Sequence, residues 1–270
     1  MAGPKTQRQV CFWYGADMQA TTSFHSGTCT TGELLVNFEA ATDIGLKRSQ
    51  NQDSFCTVGA LCLFAVADGM GGHQGGEIAS TMAITLVTEY IQNHQESEMK
   101  KNIIDAFLHT NRVIYEKSRE TPELQGMGTT MTLALIRGRQ LIIGHVGDSR
   151  CYLFKPPLYW QLTRDHSLVQ ERVHAGLMTR AEAKTDSRKN VLSRSVGFEP
   201  HVIIDTYEYK LSPGDRILLC SDGLSGPVDD AAMNKIIQTQ EHSTPALIQA
   251  AYEGGGGDNI SCIVLRIESI

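Results

Sequence analysis

The chain has 270 residues, of which 41% are hydrophobic and 20% charged, a balance that excludes a wholly disordered protein and allows one large domain or two small ones. Its formal net charge of −6, with no local run of Lys and Arg, argues against a nucleic-acid partner. The longest strongly apolar stretch, Leu61 to Ala67, is far short of the roughly 20 residues that span a bilayer, so no membrane partner is expected.

The chain opens polar and basic over Met1 to Gln9 with no apolar run behind it, which does not fit a secretory signal. Residues 1–31 lack periodicity and read as an irregular extension, partly docked through Phe12, Trp13 and Tyr14. Residues 32–270 read as one catalytic-size domain. Its first β-rich runs are Leu34–Ala41, Ser54–Val58 and Leu61–Ala67. Ile78, Met82, Leu86 and Tyr90, flanked by Ala79, Ala83, Val87 and Ile91, then give a broad helical stripe suited to covering a sheet. Ile103, Phe107 and Ile114 give a second stripe on Lys100–Ser118. Strand patterns resume at Thr129–Ile136, Leu141–Val146 and Cys151–Phe154.

Residues Arg164 to Ser187 are charged and weakly helical, an insertion outside the main core. Strands return at Val202–Tyr209 and Arg216–Cys220, weak helices come next at Asp230–Thr239 and Thr244–Glu253, and Ile260–Ile267 is the last strand. Two internal helices between blocks of consecutive strands predict an α+β fold with antiparallel sheet. Seven cysteines occur with no Cys-x-x-Cys pair, so zinc is not expected. Cys56, Cys62, Cys151, Cys220 and Cys262 lie in apolar strand-like runs and read as reduced, buried thiols of a cytoplasmic protein. Cys11 and Cys29 fall outside the patterned region and suggest no role.

The chemistry lies in a recurring shape, an apolar strand that ends in Asp beside Gly. It occurs at Phe64–Gly69, Ile143–Asp148 and Ile217–Gly223, and in mirror form at Gly257-Asp258-Asn259. In an antiparallel sheet one strand's end lies beside its neighbour's start, so these carboxylates can share a rim. A single Asp-Gly is ordinary turn chemistry. Four together, with Asn51-Gln52-Asp53, would repel strongly unless cations offset them. Arg48 and Arg150 are the few basic neighbours, and hard divalent ions with oxygen ligands, Mg²⁺ or Mn²⁺, are the simpler answer.

Thr42 to Asp53 resembles the opening motif of the metal-dependent protein phosphatases, the protein phosphatase 2C type. Ala67–His73, Gly128-Thr129-Thr130, Gly147–Arg150, Leu162–Ser167, Ser221–Leu224 and Gly257-Asp258-Asn259 resemble its further motifs in family order, across nearly the whole chain. The form Asp68-Gly69-Met70-Gly71-Gly72-His73 is similar to bacterial members. The resemblance implies an αββα fold, an antiparallel β-sandwich flanked by pairs of antiparallel helices, with two Mn²⁺ or Mg²⁺ ions at one end and a weaker third. It implies that Asp68 bridges both ions, that the Gly69 carbonyl binds one, and that Asp222 and Asp258 bind the other. It implies further that Asp53 contacts the site directly or through metal-bound water, that Asp148 with Asp222 holds the third ion, that Arg48 binds phosphate, and that His73 is the general acid. Gln52 stands where many members carry Glu, and Met70 where animal members carry a histidine.

The activity that the likeness implies is hydrolysis of phosphoserine and phosphothreonine in proteins by a metal-activated water, reversing serine/threonine kinase signalling. The expected partners are phosphorylated proteins, including a cognate kinase or its substrates, and the protein is expected to act as a cytoplasmic monomer. The segment at about 164–197 matches the family's flap and is expected to influence substrate choice. His145 reads as a core histidine, and Arg150 as the partner of a carboxylate. No cysteine has an Arg six positions on, which excludes a cysteine-based phosphatase. Two alternatives stay open on the sequence: a pseudophosphatase acting as a binding module, and a hydrolase of small phosphorylated molecules.

Overall fold

The computed structural model describes residues 22–270. The strands are β1 (Ser23–Thr31), β2 (Leu34–Asp43), β3 (Asp53–Val58), β4 (Leu63–Met70), β5 (Gly128–Thr129), β6 (Met131–Arg137), β7 (Gln140–Val146), β8 (Arg150–Lys155), β9 (Leu158–Gln161), β10 (Asp205–Lys210), β11 (Arg216–Cys220) and β12 (Ile260–Ser269). The helices are α1 (Gly72–Asn93), α2 (Met99–Glu120), α3 (Leu168–His174), α4 (Arg180–Thr185), α5 (Asp222–Ser225), α6 (Asp230–Thr239) and α7 (Ser243–Glu253). One sheet runs β1-β2-β12-β11-β8-β9, the other β10-β7-β6-β4-β3 with β5 on β4. All their pairings are antiparallel.

The layering arises from period-two alternation with both faces buried, which makes the central strands read as near-continuous apolar runs. On β4, Phe64 and Val66 point to the core between the sheets while Leu63 and Ala65 pack under α1 and α2. On β11, Ile217 and Leu219 join the inter-sheet core, and Leu218 and Cys220 lie under α6 and α7. Ala79, Ala83, Val87 and Ile91 of α1 and Ile103, Phe107 and Ile114 of α2 are buried as their stripes predict. The result is helices, sheet, sheet, helices. No helix among the described residues is long and apolar enough to cross a membrane.

Three expectations change. The irregular extension assigned to residues 1–31 ends in strand β1, which pairs with β2 along its whole length through a two-residue turn where Gly32 has φ +61°. Its alternation was hidden because β1 is an edge strand with most of its residues in solvent. Residues 1–21, including Phe12, Trp13, Tyr14 and Cys11, lie outside the described residues. Cys62, read as a reduced thiol, is joined in a disulfide to Cys29, for which no role was read, because β1 folds back over β2 and brings Cys29 to the start of β4, Cα to Cα 6.1 Å. The strand expected from Val202 begins at Asp205, where pairing with β7 begins. Cys56, Cys151, Cys220 and Cys262 are free.

Candidate functional site

The β3–β4 pairing places Asp53 directly across from Asp68. Asp222 follows β11 and Asp258 precedes β12, and these strands are neighbours in the other sheet, so their carboxylates meet at the same end. Asp148 lies in the turn between β7 and β8, the connection from one sheet to the other. The acids named from sequence are therefore brought together from five separate chain segments.

Local bonding explains the motif residues around them. The Asp68 peptide is clamped by threonines: its N–H donates to Thr130 Oγ1 at 2.9 Å, while Thr130 N–H (2.8 Å) and Thr129 Oγ1 (2.9 Å) donate to its carbonyl. Gly69 N–H donates to Gln52 O at 3.1 Å, and a Cβ at Gly69 would collide with the carbonyl of Gly76 in α1. Ser221 Oγ donates to Asp53 Oδ2 at 2.7 Å and accepts from Ser261 N–H at 3.0 Å, which ties the two sheets beneath the rim. Gln52, present in place of the more usual Glu, donates its Nε2 to Gly72 O at the start of α1.

Electrostatically the rim is under stress. Burial raises Asp53 to about 7, with Asp222 and Asp258 adding to the shift and Ser221 opposing it. Asp68 and Asp148 keep some surface in solvent, yet loss of water raises Asp68 well above its ordinary range, with Asp53, Asp222, Asp148 and Asp258 adding repulsion. Asp148 is raised by burial, then by Asp222 and Asp165, against Arg150. Asp222 is raised by burial and by Asp258. Asp53 Oδ1 and Asp222 Oδ1 are buried without any hydrogen-bond partner.

Buried acceptor oxygens of this kind call for a cation. Hard carboxylate oxygens together with the Gly69 carbonyl are the donor set that Mg²⁺ and Mn²⁺ prefer, so the residues present fit a divalent ion. Among the described residues no three acidic, histidine or cysteine side chains already stand as a finished ligand cage.

Arg48, in the loop between β2 and β3, reaches the rim and donates Nη2 to Asp258 Oδ2 at 2.7 Å with half its side-chain surface exposed. That bond raises the pKa of the guanidinium further. His73 lies in the first turn of α1, and its side chain is outside the described part of the structure.

One residue quoted in a motif but given no task is Asn259. Its Nδ2 donates to Ile44 O and Gln50 O, both at 2.9 Å, and its Oδ1 accepts from Gln52 N–H at 2.9 Å. Both donors and the carbonyl oxygen of this buried amide close the loop that carries Arg48. The Gly-Asp-Asn motif was the available signal, but the partners are distant in sequence. Asp43 Oδ1 accepts from Gly45 N–H at 2.7 Å at the start of the same loop.

The residues read as structural are so placed. Arg150 forks onto Asp165 with Nη2 at 2.7 Å and Nε at 2.9 Å. His145 is buried between Thr132 and Arg164 O, and burial lowers it to about 4. His166 accepts from Gly147 N–H at 3.2 Å through Nδ1, which leaves Nε2–H to donate to Asp205 Oδ2, also at 3.2 Å.

The profile of the family described as Protein phosphatase 2C matches residues 47–250. The chain is 36% identical over 237 residues to the serine/threonine protein phosphatase PstP of Mycobacterium tuberculosis, covering 87% of this chain and 45% of that protein. It thus spans less than half the length of that relative. It is 35% identical over 238 residues to the serine/threonine phosphatase stp of Listeria innocua, covering 84% of this chain and 94% of the relative. The catalytic domain of PstP, solved in complex with 2 manganese ions, superposes with a TM-score of 0.80 at 34% identity, covering 87% of this chain and 100% of that one.

Proposed function

The chain belongs to the protein phosphatase 2C family, and from that premise we propose that it hydrolyses phosphoserine and phosphothreonine in proteins with the help of Mn²⁺ or Mg²⁺, reversing the work of serine/threonine kinases. The observation that carries this reading is the pair of buried carboxylate oxygens on Asp53 and Asp222 that lack any partner, set among acids whose ionisation the fold opposes.

The residues proposed to hold two ions, and a weaker third, are Asp53, Asp68, the Gly69 carbonyl, Asp148, Asp222 and Asp258. When bound, such ions stabilise charge on the phosphoryl oxygens and lower the pKa of the attacking water. Arg48, exposed at the mouth of the rim, has the planar fork that grips two phosphate oxygens. Its present bond to Asp258 marks how near the rim the guanidinium already stands. Asn259 and Asp43 hold the loop that aims it. A serine or threonine alkoxide is a poor leaving group, and His73, in the first turn of α1, is the proposed proton donor, a role worth about 10²–10⁴-fold.

The proposed partners are phosphorylated proteins, including a cognate kinase or its substrates, met by a monomer in the cytoplasm. The free thiols at Cys56, Cys151, Cys220 and Cys262 support that compartment, and the Cys29–Cys62 bond is the feature that points the other way. Turnover of a phosphothreonine peptide by the purified chain with manganese, and its loss in Asp68→Asn, tests the activity. No metal-dependent turnover on any phosphopeptide, with peptide binding retained, would favour a binding module instead.

A further inference from the structure

The flap, residues 164–197, carries seven Lys and Arg against four Asp and Glu, a net charge of +3 where the whole chain has −6, which leaves −9 for the remainder. Three of the four flap acids are already engaged. Asp165 is held by Arg150, Asp186 by Arg188, and Glu182 caps α4 by accepting from Thr179. Two of the seven cations, Arg188 and Arg194, have carboxylate partners. Arg164, Arg172, Arg180, Lys184 and Lys189 make no ion pair among the described residues. Arg180 and Lys184 are spaced to share one face of α4, and they and Lys189 are exposed. The flap's exposed cations make it a positive ridge, net of Glu171 and Glu182, on an otherwise acidic chain.

The segment that carries it is tied beside the candidate site at both ends. At one end His166 N–H donates to Gly147 O at 2.7 Å, next to Asp148. At the other, Val196 and Thr129 exchange backbone bonds of 2.8 and 2.9 Å, and Thr129 is the β partner of Gly69. Both ends of the segment that carries these cations are therefore bonded beside residues of the rim, Asp148 and Gly69.

We propose that Arg180, Lys184 and Lys189 form a docking surface for acidic residues flanking the phosphorylated residue of the substrate. This rests on the phosphatase reading and deepens it by naming a substrate class, phosphoproteins whose phosphoserine or phosphothreonine lies in an acidic segment. Opposite charges on substrate and ridge steer encounter and fix the direction in which the peptide crosses the rim. The flap's cations give such a segment a favourable approach to a chain whose remainder carries a net charge of −9.

The test compares the full chain with a variant carrying Arg180→Glu, Lys184→Glu and Lys189→Glu on two phosphothreonine peptides, one flanked by Asp and Glu and one by Ala and Gly. p-Nitrophenyl phosphate serves as a substrate without flanking residues. Peptide binding is read by fluorescence anisotropy as well as turnover, and folding by circular dichroism. The acidic peptide should bind the wild type about five- to tenfold more tightly at low salt, the size expected of a few exposed ion pairs, and high salt should erase the difference. The variant should lose that preference and keep its turnover of p-nitrophenyl phosphate. Equal affinity of the wild type for both peptides would overturn the proposal, as would a variant that loses p-nitrophenyl phosphate turnover in proportion, since its cations would then serve the rim. If the wild type turns over nothing yet prefers the acidic peptide, the phosphatase reading fails and the docking surface stands.

Discussion

Asp53 and Asp68 stand opposite each other on β3 and β4, two carboxylates in registered cross-strand positions where like charges destabilise a sheet. Burial raises Asp53 to about 7 and Asp68 in the same direction. A carboxyl raised above its unfolded value holds its proton in the fold, so its contribution to stability is full below about pH 4 and is lost as pH rises through about 7. The metal-free protein should lose melting temperature across that window, and manganese should flatten the slope. Thermal scans at several pH values, with chelator and with manganese, check this; a flat profile in chelator would contradict it.

Replacing Asp68 by Asn removes one of the repelling charges. In chelator the variant should melt higher than the wild type, yet manganese should no longer raise its melting temperature. Turnover should fall by more than about 100-fold, since even residues behind a metal ligand cost 10–100-fold. A variant that is less stable in chelator and still responds to manganese would remove Asp68 from the ion site.

Arg48→Ala should raise KM for phosphopeptide and the inhibition constant for inorganic phosphate together, by about 10–100-fold, the worth of a charge-assisted hydrogen bond of roughly 1.5–3 kcal/mol. Manganese binding, measured by calorimetry, should persist. Equal phosphate affinity in both proteins would disprove the assignment.

Asn259→Asp keeps the size and the acceptor but turns a carboxylate oxygen toward the carbonyls of Ile44 and Gln50. The loop bearing Arg48 should loosen, with a loss of roughly 1–3 kcal/mol for the unmade buried bonds and a rise in KM that exceeds the fall in kcat. Hydrogen exchange should quicken at Gln52, whose N–H bonds to Asn259. Unchanged exchange there would show that the amide is dispensable.

At the far side of the sheet, buried Glu39 accepts from Ser243 N–H at 3.0 Å and Thr244 Oγ1 at 3.2 Å at the start of α7, and pairs with Arg266 at 2.8 Å. Glu39→Ala should cost about 3–5 kcal/mol, the range for stranding a buried charge, with little change in turnover per folded molecule. Denaturant melts and active-site titration separate the two quantities.

Much of the fold is legible in the residues alone. Strands buried on both faces, such as Leu63–Ala67 and Ile217–Cys220, announce themselves by unbroken apolar runs, and the wide stripes of α1 and α2 by their spacing. Asp68, Asp148 and Asp222 are legible because each follows or ends such a strand beside Gly, and Asp258 because Gly257-Asp258 opens the last strand in mirror form. The elements that stay hidden depend on neighbours. β9 is an exposed four-residue edge behind two prolines, and β1 is marked as a strand only by its pairing with β2. The Cys29–Cys62 bond needs that pairing first. Ser221 and Asn259 act through hydrogen bonds to residues far along the chain, which no local pattern encodes.

The carboxylates come from both layers of the sandwich: Asp53 and Asp68 from one sheet, Asp222 and Asp258 from the ends of strands in the other. A cation shared among them would act as a rivet through the seam between the layers. Phe64, Leu219 and Ile263 fill that seam, and a cavity among them would let one sheet slip over the other by a fraction of an ångström. Such slippage would be felt first as weakened ion affinity. Core mutations remote from the rim should silence such a molecule well before they unfold it.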